Sequence, residues 1–333
     1  MTPQALLKQL VGELYLATLA QRQLRAAGTI LMLHRVVADD HLASLPHRAA
    51  LCLGRPTFVR LLNWIARHFD CVPLETLLHS PPGPHRRPQL ALTFDDGWRD
   101  NAELAFPLLH QLGLPASIFL STDHIGTGKP FWWEAIGETF WQAPHSPGTR
   151  ELGARLAALG HPPPARLLES DTRASRSLLL GRYLAQLKAL PPARLDDLAA
   201  LCPPPAQPHG LDWEQVRVLE RSGLVRFGPH GAAHAILTQL TPAALHADLS
   251  RSQQTLASQC DHPLPIYCYP NGDHDPAVRE AVARLGYALA LGTTPGLVTP
   301  LSPRLAVPRL DVGQAVAGRP GRLGWRLLRA ARL

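Results

Sequence analysis

The chain has 333 residues, 46% hydrophobic and 18% charged, which suffices for a large globular core and excludes a disordered or low-complexity class. Its formal charge is +7, yet lysine occurs only at Lys8, Lys129 and Lys188, and no Lys/Arg run interleaved with aromatics is present, so nucleic acid is not an expected partner. The five cysteines, Cys52, Cys71, Cys202, Cys260 and Cys268, form no CxxC pair; they argue against a disulfide framework or a cysteine zinc site and point to reduced thiols in a cytoplasmic setting.

In chain order, residues 1–27 read as an amphipathic helix, an apolar stretch broken by Glu13 and followed by Arg22 and Arg25, without the cleavage site of a signal peptide. From residue 28 onward, short runs rich in Val, Ile and Leu alternate with helical patterns, as in parallel βα units. The expected strands are Thr29–Leu33, Cys71–Pro73, Leu90–Phe94, Ala116–Leu120, Val225–Gly228, Ile266–Tyr269, Ala288–Leu291 and Ala306–Pro308. Expected helices include Thr57–His68, Asn101–Leu112, Thr241–Gln259 and Pro276–Leu285. Residues 134–205 carry no strand pattern, only Leu, Ala and Arg at helical spacing with proline-rich joints, and read as a helical insertion beside the barrel. Residues 313–333 read as a basic terminal helix, either solvated or laid on an anionic membrane surface. No run approaches the roughly 20 apolar residues that a transmembrane helix needs.

Reactive side chains cluster just after expected strands: His34, Asp95 and Asp96, His124, His230 and Asn271. In parallel barrels that end is where loops from many strands converge on one site. In LALTFDDGWRDN (Leu90–Asn101) a strand runs directly into two carboxylates, one able to hold a metal and the other to take a proton from water. The same letters also describe an Asp-capped helix after a glycine turn. In VRFGPHGAAHAILTQL (Val225–Leu240) His230 and His234 stand four residues apart, and two imidazoles with one carboxylate make a common ligand set for a catalytic zinc. In YCYPNGDHD (Tyr267–Asp275) Pro270 and Gly272 force a turn that aims the backbone N–H of Asn271 or Gly272 at the same bowl, where it could hold an oxyanion.

Together these segments resemble the polysaccharide deacetylases of carbohydrate esterase family 4, over roughly residues 28–312. The resemblance implies an α/β fold, a distorted (β/α) barrel interrupted here by the helical insertion, and metal-dependent removal of an N-acetyl group from an amino sugar. It implies Asp95 as base, Asp96, His230 and His234 as ligands of one divalent ion such as Zn²⁺, and the Asn271 amide as oxyanion donor. ILMLHRV and FLSTDHIGTGKPFWWE are similar to a bacterial subgroup tied to exopolysaccharide assembly.

The sequence departs from the family pattern at several points. Gly231 follows the first histidine of the second motif, no arginine opens the third motif, and VPRLDV (Val307–Val312) stands where a late leucine–histidine pair supplies the general acid. Arginine is a poor proton donor at neutral pH, so His274 is the expected acid, with His34 and His124 as alternatives. Trp98, with Trp132 and Trp133, is expected to stack on sugar, and His34, Pro270, Gly272 and Arg309 to contact substrate. The expected substrate is an N-acetylated glycan or a small or lipid-linked precursor, handled in the cytoplasm, with peripheral contact to the inner membrane face through the C-terminal helix. The rival readings are a glycan-binding scaffold without competent acid catalysis, and a glycosidase using Asp95 and Asp96, whose carboxyl groups would have to stand about 5 Å or more apart.

Overall fold

The computed structural model describes residues 3–79, 87–169 and 172–331, so residues 1–2 of the expected N-terminal helix and 332–333 of the C-terminal one lie outside the described residues. The strands are β1 (Thr29–Leu33), β2 (Arg35–Val37), β3 (Cys52–Gly54), β4 (Asp70–Cys71), β5 (Gln89–Phe94), β6 (Ala116–Leu120), β7 (Val225–Pro229), β8 (Ile266–Cys268), β9 (Leu289–Leu291) and β10 (Leu310–Asp311). Parallel ladders run in the order β10–β1–β5–β6–β7, with β4 on the start of β5, and β8 pairs with β9 separately. The Leu264 N–H donates to the Phe227 carbonyl at 2.7 Å, and Leu291 bridges Val307. The two ladders thereby meet as a distorted barrel whose hydrogen bonding is interrupted on both sides of the β8–β9 pair.

The inner strands read as unbroken apolar runs because both of their faces are buried. With a side-chain period of two, Ile30, Ala91 and Phe119 share the barrel interior with Ile266, Cys268 and Leu291. Leu31, Leu92, Phe94, Ile118 and Phe227 point outward into the core beneath the surrounding helices.

The structure corrects two elements. The expected strand Ala306–Pro308 contributes only the Val307 bridge, and the ladder to β1 is made by Leu310–Asp311, past Pro308, which has no N–H to donate. The expected helix Asn101–Leu112 opens as a π-turn over Asn101–Ala105 before Phe106–Leu112, because Pro107 leaves a carbonyl without its regular partner. The short β2–β3 ladder has no signal in the sequence, because three residues carry no readable alternation.

Between β6 and the helix Trp213–Arg221 that leads into β7, the described residues of the insertion form the helices Trp132–Gln142, Pro147–Ala158, Ala165–Glu169, Arg173–Leu187 and Pro192–Ala200. They enclose a core of their own around Ile136, Phe140, Leu156, Leu180, Leu187 and Leu198. Buried ion pairs fasten this core to the barrel: Glu134 takes Arg35 at 2.7 Å and Arg48 at 2.6 Å, and Arg35 also holds Asp100 at 2.8 Å.

The helices Pro3–Thr18 and Pro320–Ala330 pack against each other at glycines: a Cβ on Gly12 would collide with the Gly321 carbonyl. This contact corrects the expected role of the C-terminal helix. Its apolar residues Leu323, Leu327 and Leu328 are buried and offer no face to a membrane. The N-terminal helix instead leaves Leu6, Leu7, Leu10 and Leu14 between 47% and 64% exposed. No described helix is long and apolar enough to cross a membrane.

Candidate active site

The inward phase of each strand carries the reactive residues into one bowl. Continuing Ile30 along β1 leads to Met32 and His34, and continuing Ala91 along β5 leads to Thr93 and Asp95. Cys268 is already inward at the end of β8, and His230 follows β7 directly. Met32, His34, Asp95, Asp96 and His230 all line a single cavity of about 480 Å³.

Asp96 and the two histidines of the second motif converge. Asp96 Oδ1 lies 3.4 Å from His230 Nε2 and 3.1 Å from His234 Nε2. The Nδ1 of His230 is 2.9 Å from the Cys268 carbonyl, which can only accept, so that nitrogen carries the proton and Nε2 presents its lone pair to Asp96. Asp96 Oδ1 is buried and has no hydrogen-bond partner. A carboxylate oxygen and an imidazole lone pair facing each other out of water repel unless a cation stands between them, so this donor set fits a divalent ion of the zinc class. Burial raises the Asp96 pKa, but the positive charge that faces it from the histidine side, at His234 first, outweighs burial and holds the carboxyl well below the usual range.

Strain marks the same place. Among the described residues, only Asp96 (φ 75°), His234 (φ 53°) and Asn271 (φ 54°) adopt positive φ without being glycine. Such conformations persist where surrounding contacts over-determine them.

Trp98 provides one such contact. Its indole N–H donates to Asp96 Oδ2 at 2.7 Å, and its ring lies between Phe131, at a 4.1 Å centroid distance, and the Arg35 guanidinium at 4.0 Å. At 0% exposure it cannot stack on a sugar, which corrects that expectation: it aims the carboxylate.

Arg309 is corrected in the same sense. It is 0% exposed and grips both oxygens of Asp95, at 2.8 and 2.7 Å, while also donating to Thr93 Oγ1 and the Gly292 carbonyl. Arg309 stands just before β10 and orients Asp95 instead of touching substrate. Burial raises the Asp95 pKa, yet Arg309 outweighs it and keeps the carboxyl lowered. With both carboxyls held ionised side by side, neither can serve as the acid of a glycosidase pair.

Around the third motif, the amides of Gly272 and Asp273 are engaged by the carbonyls of Tyr269 and Pro270, which leaves the Asn271 amide as the turn's candidate donor. Gly272 lines the cavity at φ 78°, where a Cβ would collide with Thr293. Pro270 is buried within the turn, with its ring toward Gly231, and does not line the cavity. His274 does not line the cavity. It bonds Arg279 at 3.0 Å and lies against Tyr269, because the chain turns away after Gly272, and this removes its expected role as acid. His124 lines the cavity, but its ring is stacked on Phe131 at 4.3 Å, and burial, then Lys129 and His234, lower its pKa to about 3. Of the three candidate acids, only His34 both lines the cavity and escapes such packing.

One residue had no signal in the sequence. Lys188, at the end of the insertion helix Arg173–Leu187, reaches the cavity and donates to Asn271 Oδ1 at 2.6 Å. Burial lowers its pKa against the pull of Asp273 and Asp96. Trp132 and Trp133 also line the cavity.

The family model described as polysaccharide deacetylase matches residues 83–290. Similar solved structures include the Streptococcus pyogenes deacetylase PplD in complex with acetate (17% identity, 91% of this chain and 97% of that one, TM-score 0.57). Others are IcaB from Ammonifex degensii (15% identity, 90% and 97%, TM-score 0.56) and the BpsB deacetylase domain from Bordetella bronchiseptica (18% identity, 86% and 96%, TM-score 0.52). No curated protein matches the chain. With a family match over more than half of its length and the barrel of these neighbours, the chain belongs to the polysaccharide deacetylases, hydrolases of carbon–nitrogen bonds other than peptide bonds.

Proposed function

We propose that the chain removes the N-acetyl group from an amino sugar with the help of one divalent ion, Zn²⁺ or a related first-row metal, held by Asp96, His230 and His234. The observation that carries this reading is the buried, unpartnered Asp96 Oδ1 facing two imidazole nitrogens. An ion there supplies Lewis acidity toward the amide carbonyl and lowers the pKa of water.

The chain's own residues do the rest. Asp95, locked by Arg309, accepts the proton of the attacking water at a carboxylate oxygen. The Asn271 amide stabilises the negative charge that develops on the carbonyl oxygen. As the carbon–nitrogen bond breaks, a proton passes to the departing amine, which would otherwise leave as an unstable anion. His34 takes over this role from His274, since it lies on the cavity wall and its imidazole can carry a proton to the amine. Acetate and the free amino sugar are the products.

A glycan precursor handled in the cytoplasm fits the five free cysteines. Contact with an anionic membrane face passes to the N-terminal helix, where the exposed leucines share the helix with exposed Lys8, and exposed Arg22 and Arg25 follow in and just after the next helix, Ala20–Leu24. Cell fractionation tests both points, and recovery of the protein in the periplasm or medium refutes them.

The primary test is metal analysis of the purified protein with acetate release from N-acetylglucosamine oligomers. One metal per chain is expected, lost in His230→Ala and in His234→Ala, with acetate release abolished by chelation. Full metal content in both variants overturns the ligand assignment.

A further inference from the structure

The cavity has two unlike halves. The barrel side presents His34, Asp95, Asp96, His230 and His234. The side built by the insertion is apolar, formed by Leu184, Ala185, Leu190, Pro192 and Leu195 with Ile236 across from them. The charged groups on that side already have partners: Lys188 is tied to Asn271 and Asp196 to Lys129 at 2.7 Å. A sugar hydroxyl placed against these apolar side chains would lose water without gaining a partner, the nearest unpartnered donor of the insertion in this cavity being the indole N–H of Trp133. The volume of about 480 Å³ belongs to ligands much larger than an acetyl group.

A second observation concerns the mouth of this half. Gly181 lies within the helix Arg173–Leu187, where glycine weakens a helix relative to alanine. A Cβ built on Gly181 meets nothing within 4 Å, so no packing demands a glycine there. Gly181 is exposed and lines the cavity, so its lack of a side chain leaves that stretch of the wall open.

We propose that the apolar half receives a hydrocarbon chain attached to the amino sugar, so that the substrate is amphiphilic. This rests on the reading of the site as an N-deacylase. The same chemistry has two sources: an N-acyl chain longer than acetyl, or an apolar anchor elsewhere on the sugar. In either case the insertion selects the chain while the barrel side holds the amide.

The test uses the full-length, metal-loaded protein and two ligand series. One series is glucosamine carrying N-acyl groups from acetyl to octanoyl, and the other is N-acetylglucosamine carrying ethyl to octyl aglycones. Amine release gives kcat/KM, and binding is followed by the fluorescence of Trp132 and Trp133 at the cavity wall. Burial of a methylene corresponds to about a fourfold gain, so kcat/KM should rise two- to fourfold per carbon in one series until the cavity is full. A rise in the first series identifies an acyl chain, and a rise in the second an anchor. Gly181→Leu should collapse the long-to-short ratio toward one, whereas Gly181→Ala should preserve it.

Flat dependence in both series, with acetate release intact, overturns the proposal and leaves the deacetylase reading standing. Chain-dependent binding without amine release from any substrate does the reverse. A Gly181→Leu protein that keeps the full ratio refutes the placement of the chain.

Discussion

Replacement of Arg309 by methionine isolates the pair that orients the base. The side chain is fully buried and spans both oxygens of Asp95, itself 2% exposed, so methionine fills similar space but removes the carboxylate's partner. Removing one member of a buried ion pair costs about 3–5 kcal/mol. An unfolding entropy of about 2.1 cal/mol/K per residue over 333 residues makes that a fall of about 4–7 °C in Tm.

The pH dependence carries the sign. In the native protein burial raises the Asp95 pKa but Arg309 prevails, so the folded value lies below the unfolded one. The pair therefore contributes stability above the unfolded pKa of about 3.9, which is lost as pH falls through the folded value. Without Arg309 burial prevails and the folded pKa rises above the unfolded one, so the variant regains stability as pH falls toward that raised value. Thermal unfolding in chelator at about pH 7.5 and about pH 5 should show the deficit shrinking at the lower pH. Asp95→Asn combined with Arg309→Met should recover at least half of it, because no unpaired charge is left. Equal deficits at both pH values, or a double variant as unstable as the single one, would refute the reasoning.

Three further outcomes are expected. Trp98→Phe removes the N–H that holds Asp96 Oδ2 and should weaken metal affinity about 10- to 100-fold; titration with Zn²⁺ against a competing chelator reads it, and unchanged affinity assigns Trp98 to packing alone. Asp95→Asn should keep the metal and lower kcat by about a hundredfold or more, whereas Asp96→Asn should lose metal, and exchanged phenotypes would swap the two roles. His34→Gln should lower kcat by about a hundredfold or more while His274→Gln leaves it in place; a His274→Gln variant that loses kcat as far, with His34→Gln unaffected, would restore His274 as the acid.

The strands and the reactive cluster were legible because their signals are local. Thr29–Leu33 and Ala116–Leu120 announce themselves as apolar runs, since both faces of each strand are buried. Asp95, Asp96, His230 and Asn271 stand just past strand ends, and parallel strands bring those ends to one side of the barrel. The positions of the three motifs, and the four-residue spacing of His230 and His234, could therefore be read from the chain alone.

What each residue touches could not be read in this way. Arg309 meets Asp95 across 214 positions of sequence, and only closure of the barrel through β10 puts the guanidinium inside it. Lys188 reaches Asn271 across 83 positions because the insertion folds back over the bowl, which no helical periodicity within the insertion records. Trp98 reads from the sequence as a sugar-stacking aromatic, but Arg35 of β2 and Phe131 enclose it, and His274 reads as a neighbour of the oxyanion turn, but the chain turns it toward Arg279. Periodicity reports which way a side chain points from its own strand or helix. Whether another element closes over it, and with what charge, depends on contacts between segments far apart in the chain, and these only the tertiary structure decides.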